Sequence, residues 1–247
     1  MRTFERPDGA TLAYRVTAGS GGGDPVVCLH GFAVDSRSWA KALLAALGDA
    51  ARQVVTVDLR NHGSSSRSPS ALAPDTLPRD VLALVADLDL GAWSLFSYSM
   101  GAIVGARVAR LSPESLLPKR VVLGGMGDRL VQPDWARPRD LARALRGEGD
   151  SDDGARYAAF IRRVGGDPAA LAAVQDSIVL TAPQDLAAVL GGRVATLVLA
   201  GIDDNENGDP AALAAALTGS VLVRSPGNHI SAASTQEFVA AAAAFLR

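Results

Sequence analysis

Short, continuously apolar runs recur along the chain, separated by stretches in which apolar residues return every three or four positions. The runs lie in "PVVCLHG", "QVVTVDLRNHG", "WSLFS", "KRVVLGGMG", "RVATLVLAG" and "SVLVRSPG". Such runs suit strands buried on both faces. Residues 35–47 carry helical spacing at Trp39, Leu43, Leu44 and Leu47, with Asp35 or Ser36 as the cap. Helices are predicted in the same way over 77–88, 100–111 and 235–247, the last with Phe238 and Phe245 on its apolar side. The opening "TFERPDGATLAYRV" reads as a hairpin turning at Pro7-Asp8-Gly9, and Gly19 to Gly23 as a flexible join to the first buried strand. Strands alternating with helices imply βαβ units and a mostly parallel sheet, an α/β fold.

The rhythm breaks over residues 131–192. That stretch has little strand character and carries helical, arginine-rich segments such as "DLARALRGEGDSDDGARYAAFIRRVGG". The expected organisation is a core built from 1–130 and 193–247, with 131–192 as a small helical cap inserted over one end of the sheet. Its arginines (Arg137, Arg139, Arg143, Arg146, Arg156, Arg162 and Arg163) admit two readings. They attract an anionic substrate, or they form a solvated face balanced by Glu148, Asp150, Asp152 and Asp153, which is the expectation here.

Composition narrows the classes. The chain has 247 residues, enough for one large domain with a substantial core. Hydrophobic residues make up 48% and the formal net charge is −2, so no basic face is expected to hold nucleic acid. Cys28 is the single cysteine, which excludes an intrachain disulfide and makes it a small core residue. The start lacks the apolar region of a signal peptide. Residues 90–106 are uncharged but interrupted by glycines and serines, so neither a membrane span nor membrane binding is expected. A cytoplasmic location is the expectation.

In an open parallel sheet, reacting groups gather at the carboxyl ends of strands. Four polar clusters fall at such ends: "HGF" at 30–32, "SYSMG" at 97–101, "GIDD" at 201–204 and "GNH" at 227–229. A serine hydroxyl becomes a useful nucleophile when a histidine takes its proton, and a carboxylate fixes that histidine's tautomer. Ser99, then Asp203 or Asp204, then His229 supply these groups in one of the known chain orders. "SYSMG" departs from the pattern G-x-S-x-G at its first position, where Ser97 stands for glycine. A small residue is needed there, and serine is read as a tolerated one. No pair of the three histidines has helical ligand spacing and no cysteine helps, so no metal is expected.

With "LHGF", "VDLRNHGSS", "SYSMG", "LVLAGIDD" and "GNHISAAS" in order over nearly the whole chain, the sequence resembles the α/β-hydrolase family, and "DLRNHG" its small carboxylesterase-type members. The resemblance implies that Ser99 is the nucleophile on a strand-to-helix elbow and His229 the base. It favours Asp204 as the acid, with Asp128 as the alternative taken from an earlier strand. It also implies an oxyanion hole from the backbone N–H groups of Phe32 and Met100, with His30 and His62 shaping loops. The expected activity is hydrolysis of a small carboxylic ester through an acyl-enzyme, without a cofactor. Other chemistries of the fold stay open: thioester or C–C hydrolysis and cofactor-free haloperoxidation. So does a rival class, a ligand-binding receptor or regulatory module on the same scaffold.

Overall fold

In the computed structural model, which describes residues 1–148 and 152–247 and, within these, no side chain of 152–154, the apolar runs line up in one sheet. The hairpin forms β1 (Arg2–Glu5) and β2 (Thr11–Ala18). The buried runs form β3 (Val26–Leu29), β4 (Gln53–Val57), β5 (Ser94–Tyr98), β6 (Arg120–Gly124), β7 (Ala195–Gly201) and β8 (Val221–Ser225). The strand order is β1-β2-β4-β3-β5-β6-β7-β8. β2 runs antiparallel to both its neighbours, and the strands β3 to β8 are parallel throughout. This is the α/β-hydrolase architecture that the motifs imply.

Helices cover both faces. α1 (Lys41–Ala50) and α9 (Gln236–Leu246) share one face with Phe96, Tyr98 and Phe238, whereas α2 (Thr76–Asp87) and α3 (Met100–Leu111) pack on the other with Leu95 and Val121. The period of two along β5 therefore sends Ser97 toward α3 and Tyr98 toward α9.

Between β6 and β7 come α4 (Arg137–Leu145), α5 (Asp152–Arg163), α6 (Pro168–Asp176) and α7 (Pro183–Leu190). α4, α5 and α6 build a small core of their own around Leu145, Ile161 and Leu171, and Phe32 of the "HGF" loop packs against it. Leu186 and Leu190 of α7 join the main core. Asn61, at φ 67°, donates its amide to the carbonyl of Ala170 at 2.8 Å and so ties α6 to the loop after β4.

Three readings change. Residues 35–47 are not one helix: Asp35 caps a 3-10 turn over Ser36–Ser38, Trp39 is extended, and α1 starts at Lys41. Breaking there lets Trp39 reach Phe96, ring to ring at 5.3 Å. The glycine-rich join is held rather than flexible. The N–H groups of Gly19, Ser20, Gly21 and Gly23 donate to carbonyls of Gly48, Ala50 and Arg52, closing the C-terminal end of α1. A further helix, α8 (Pro210–Ala216), fills the interval after β7, with Asp209 as its cap. Among the described residues, no helix is long and apolar enough to cross a membrane.

Candidate active site

β5 ends at Tyr98, α3 begins at Met100, and Ser99 makes the whole turn between them. It does so at φ 55° and ψ −123°, a conformation costly for any residue with a Cβ. Three backbone hydrogen bonds hold it there: the Ser99 N–H donates to the Gly124 carbonyl at 2.8 Å, and its carbonyl accepts from the N–H groups of Ala102 at 2.8 Å and Ile103 at 3.4 Å. A side chain at Gly101 would overlap the carbonyl oxygens of Leu29 and His30, so the start of α3 sits on the end of β3 only with glycine at that position.

Ser97 is fully buried beneath the turn, and its hydroxyl donates to the Val122 carbonyl at 2.6 Å. A Cβ at Gly105 would come within 2.9 Å of that hydroxyl oxygen, which measures how tightly α3 approaches. Serine is therefore small enough for this position and also bonded there. Ser97→Gly is expected to cost about 1 kcal/mol, one neutral hydrogen bond, with the rate nearly unchanged. Ser97→Val is expected to cost about 1–3 kcal/mol by overpacking against α3. It should also slow turnover by about 10²-fold, because Ser99 is displaced. Urea unfolding and steady-state kinetics on both variants check this; a glycine variant with a collapsed rate at normal stability would assign Ser97 a direct part.

His229, after β8, lies 2.9 Å from Ser99 through Nε2 to Oγ and 2.9 Å from Asp204 through Nδ1 to Oδ2. With a carboxylate as its only role an acceptor, the proton sits on Nδ1, and Nε2 is left to accept from the serine hydroxyl. The Asp204 side chain is 3% exposed, whereas Asp203 next to it faces solvent. Asp128 is committed elsewhere, accepting from the Gln132 side chain and from the Asp209 N–H. Tyr98 donates its hydroxyl to the His229 carbonyl at 2.7 Å, bracing the histidine loop from beneath.

The "HGF" loop passes over the same turn, with Gly31 beside the Ser99 side chain. Among the described residues, the N–H groups of Phe32 and Met100 have no partner. His30 sets the loop's path: its Nδ1–H donates to the Gly31 carbonyl at 2.7 Å and its Nε2 accepts from the Leu59 N–H at 3.0 Å. His62 bonds the Arg60 carbonyl and lies against the rings of His30 and Phe32. The "DLRNHG" segment is a brace. Asp58 accepts from the N–H groups of Ser36 and Ser64, and Arg60 pairs with Asp80 and Asp8. Among the described residues, no three His, Cys, Asp or Glu side chains gather as metal ligands would.

Burial holds both of these imidazoles neutral. It pushes His62 down to about 3, helped by the neighbouring His30, and it lowers His30 as well. Free histidine titrates at about 6.5, so below that pH the unfolded chain binds more protons than the folded one. Stability is therefore expected to fall as pH falls from about 7 to about 5, by up to about 1.4 kcal/mol per pH unit for each ring. Urea midpoints across that range test the sign; a flat or rising stability on acidification would contradict it.

Above Ser99 opens a cleft of about 330 Å³, walled by Phe32, Ile103, Trp135, Leu141 and Tyr157 and floored by Ser99 and His229. Tyr157 of α5 stacks on Phe32 with the ring planes 4° apart. Of the arginines in residues 131–192, Arg137 lines the cleft but is bonded to Glu206, and Arg146 pairs with Glu148 and Asp176. Asp150, expected to balance them, lies outside the described residues, as do the side chains of Asp152 and Asp153. Sequence reasoning missed Tyr98, Gln175 and Asn207, all of which line the cleft. Tyr98 sits inside a motif already singled out, whereas Gln175 and Asn207 carry no local pattern.

The sequence profile of the alpha/beta hydrolase family matches residues 26–242. An sn-1-specific diacylglycerol lipase, ABHD11 of Danio rerio, is 40% identical over 115 residues, which are 45% of this chain and 35% of the relative. Rhodomycin D methylesterase DauP of Streptomyces sp. (strain C5) is 35% identical over 127 residues, 50% of this chain and 41% of the relative. The matches thus span less than half the length of these relatives. A crystallised hydrolase from Pseudomonas aeruginosa PA01 superposes over 99% of this chain and 97% of its own with a TM-score of 0.82 at 24% identity, a likeness of fold. With its profile match running from β3 into α9, over the strand that carries Ser99 and the loop that carries His229, the chain belongs to the alpha/beta hydrolase family.

Proposed function

We propose that the protein is a serine hydrolase of neutral, small-molecule carboxylic esters. The observation that carries this reading is the unbroken hydrogen-bond chain from Ser99 through His229 to the buried Asp204. His229 takes the Ser99 proton through Nε2 as Oγ attacks the ester carbonyl, and Asp204 stabilises the imidazolium that forms. The N–H groups of Phe32 and Met100, which have no partner among the described residues, receive the negative oxygen. Collapse of the tetrahedral adduct breaks the ester C–O bond, and His229 returns the proton to the departing alcohol. A water deprotonated by the same histidine then frees the acid and restores Ser99.

In this reading residues 131–192 act as the cap, with Leu141, Tyr157 and Gln175 closing the cleft over the serine. The apolar walls, and the engagement of Arg137 by Glu206, favour an uncharged substrate. The methylesterase and lipase among the relatives support ester chemistry. The test is exposure to a serine-directed fluorophosphonate followed by weighing of the intact protein. One rapid adduct per chain is expected, and none on the Ser99→Ala variant. An unlabelled wild-type chain would favour a binding module on this scaffold and sink the proposal.

A further inference from the structure

Several polar side chains on the cleft wall are already engaged by the protein, whereas the Trp39 ring N–H is buried without a partner. The Tyr98 hydroxyl donates to the His229 carbonyl, the Asn207 amide to the Gly125 carbonyl, the Ser38 hydroxyl to the Asp35 carbonyl, and Arg137 holds Glu206. Gln175 differs. It is 6% exposed, and it lines the cleft from α6. The amide nitrogen has one contact, the Met100 sulfur at 3.8 Å, and among the described residues the amide oxygen accepts no hydrogen bond. The amide oxygen is not among the fully enclosed unbonded polar atoms, so it is open to the cleft, where a ligand can pair with it. Pockets of this kind commonly use a few convergent polar groups in apolar walls to orient a ligand.

The platform beneath Gln175 is rigid. Asp167 caps α6 by accepting from the N–H groups of Ala169 and Ala170, Asn61 holds the Ala170 carbonyl, and Arg146 pairs with the adjacent Asp176. The amide is thus fixed beside Met100, the residue directly after Ser99. A primary amide carries a donor and an acceptor and no charge. It meets a hydroxyl in either orientation, whereas a carboxylate or an ammonium group would be left without a counter-charge.

We infer that Gln175 is a specificity-determining residue that bonds a hydroxyl on the substrate, so that the preferred esters carry one free hydroxyl on the part lying against Met100. This rests on the ester-hydrolase reading above. The test compares kcat/KM for two matched series: esters with and without a single hydroxyl on the acyl chain, and esters with and without one on the alcohol. Wild type is expected to prefer the hydroxylated member by about tenfold or more in one series, the scale of one neutral hydrogen bond. Gln175→Leu and Gln175→Met, which keep the volume and remove the amide, are expected to bring that ratio to about one. Using two replacements guards against one that fails to fold, and fluorophosphonate labelling reports that the site is intact in each. Equal rates on both members in both series, or a preference that survives in a labelled Gln175 variant, would overturn the inference while leaving ester hydrolysis standing. A wild-type chain that neither hydrolyses any of the esters nor takes up the phosphonate would overturn the functional reading, and this inference with it.

Discussion

Ser99→Ala is expected to abolish ester hydrolysis while the protein stays folded, with a rate loss on the order of 10⁶, the scale seen when a serine nucleophile is removed elsewhere. The size of the effect follows from what the hydroxyl does in the proposed pathway: without Oγ no acyl-enzyme forms, and His229 has no proton to take. The stability change should be small. The side chain is half-buried, and the hydrogen bonds that hold the turn come from the Ser99 backbone, so alanine keeps them. The positive φ is retained too, since alanine has the same Cβ. Hydrolysis of a chromogenic ester and a thermal melt on the same preparation check the two halves. A variant that keeps most of its activity with an unchanged melt would place the nucleophile elsewhere.

Asp204→Asn is expected to cost about 10⁴ in rate, whereas Asp203→Asn and Asp128→Asn leave turnover nearly unchanged. Asp204 accepts the Nδ1 proton of His229 at 2.9 Å, and that bond dictates the tautomer. An asparagine offering its N–H there would favour the proton on Nε2, where it blocks acceptance from Ser99. Asp203 points to solvent and touches neither partner. Asp128 braces the start of α8 through the Asp209 N–H, so its loss should register in stability rather than in kcat. Parallel kinetics and melts on the three variants separate these outcomes. A large rate loss confined to Asp128→Asn would move the acid to the strand before.

The sequence by itself determined the strands, the parallel sheet, the hairpin and the positions of Ser99 and His229 just past strand ends. Those features are local. An apolar run reports burial on both faces, and a small polar cluster after it reports where the chain turns out of the sheet. α8 was legible by the same logic, since Asp209 caps it, Pro210 opens it and Leu213 and Leu217 share its inner side. The break before Lys41 was not: the spacing over 35–47 is helical, and only the packing of Trp39 on Phe96 pulls the chain out of a continuous helix. The choice between Asp203 and Asp204 also belonged to the tertiary structure. Adjacent side chains in a loop have no fixed periodicity, and the decision rests on where β8 delivers His229. The clearest case is Gln175, the one uncharged polar residue in a helix rich in alanine. Only the placement of α6 over Met100 turns it into an unengaged amide on the wall of the cleft, because the contact joins positions far apart in the chain that no local pattern connects.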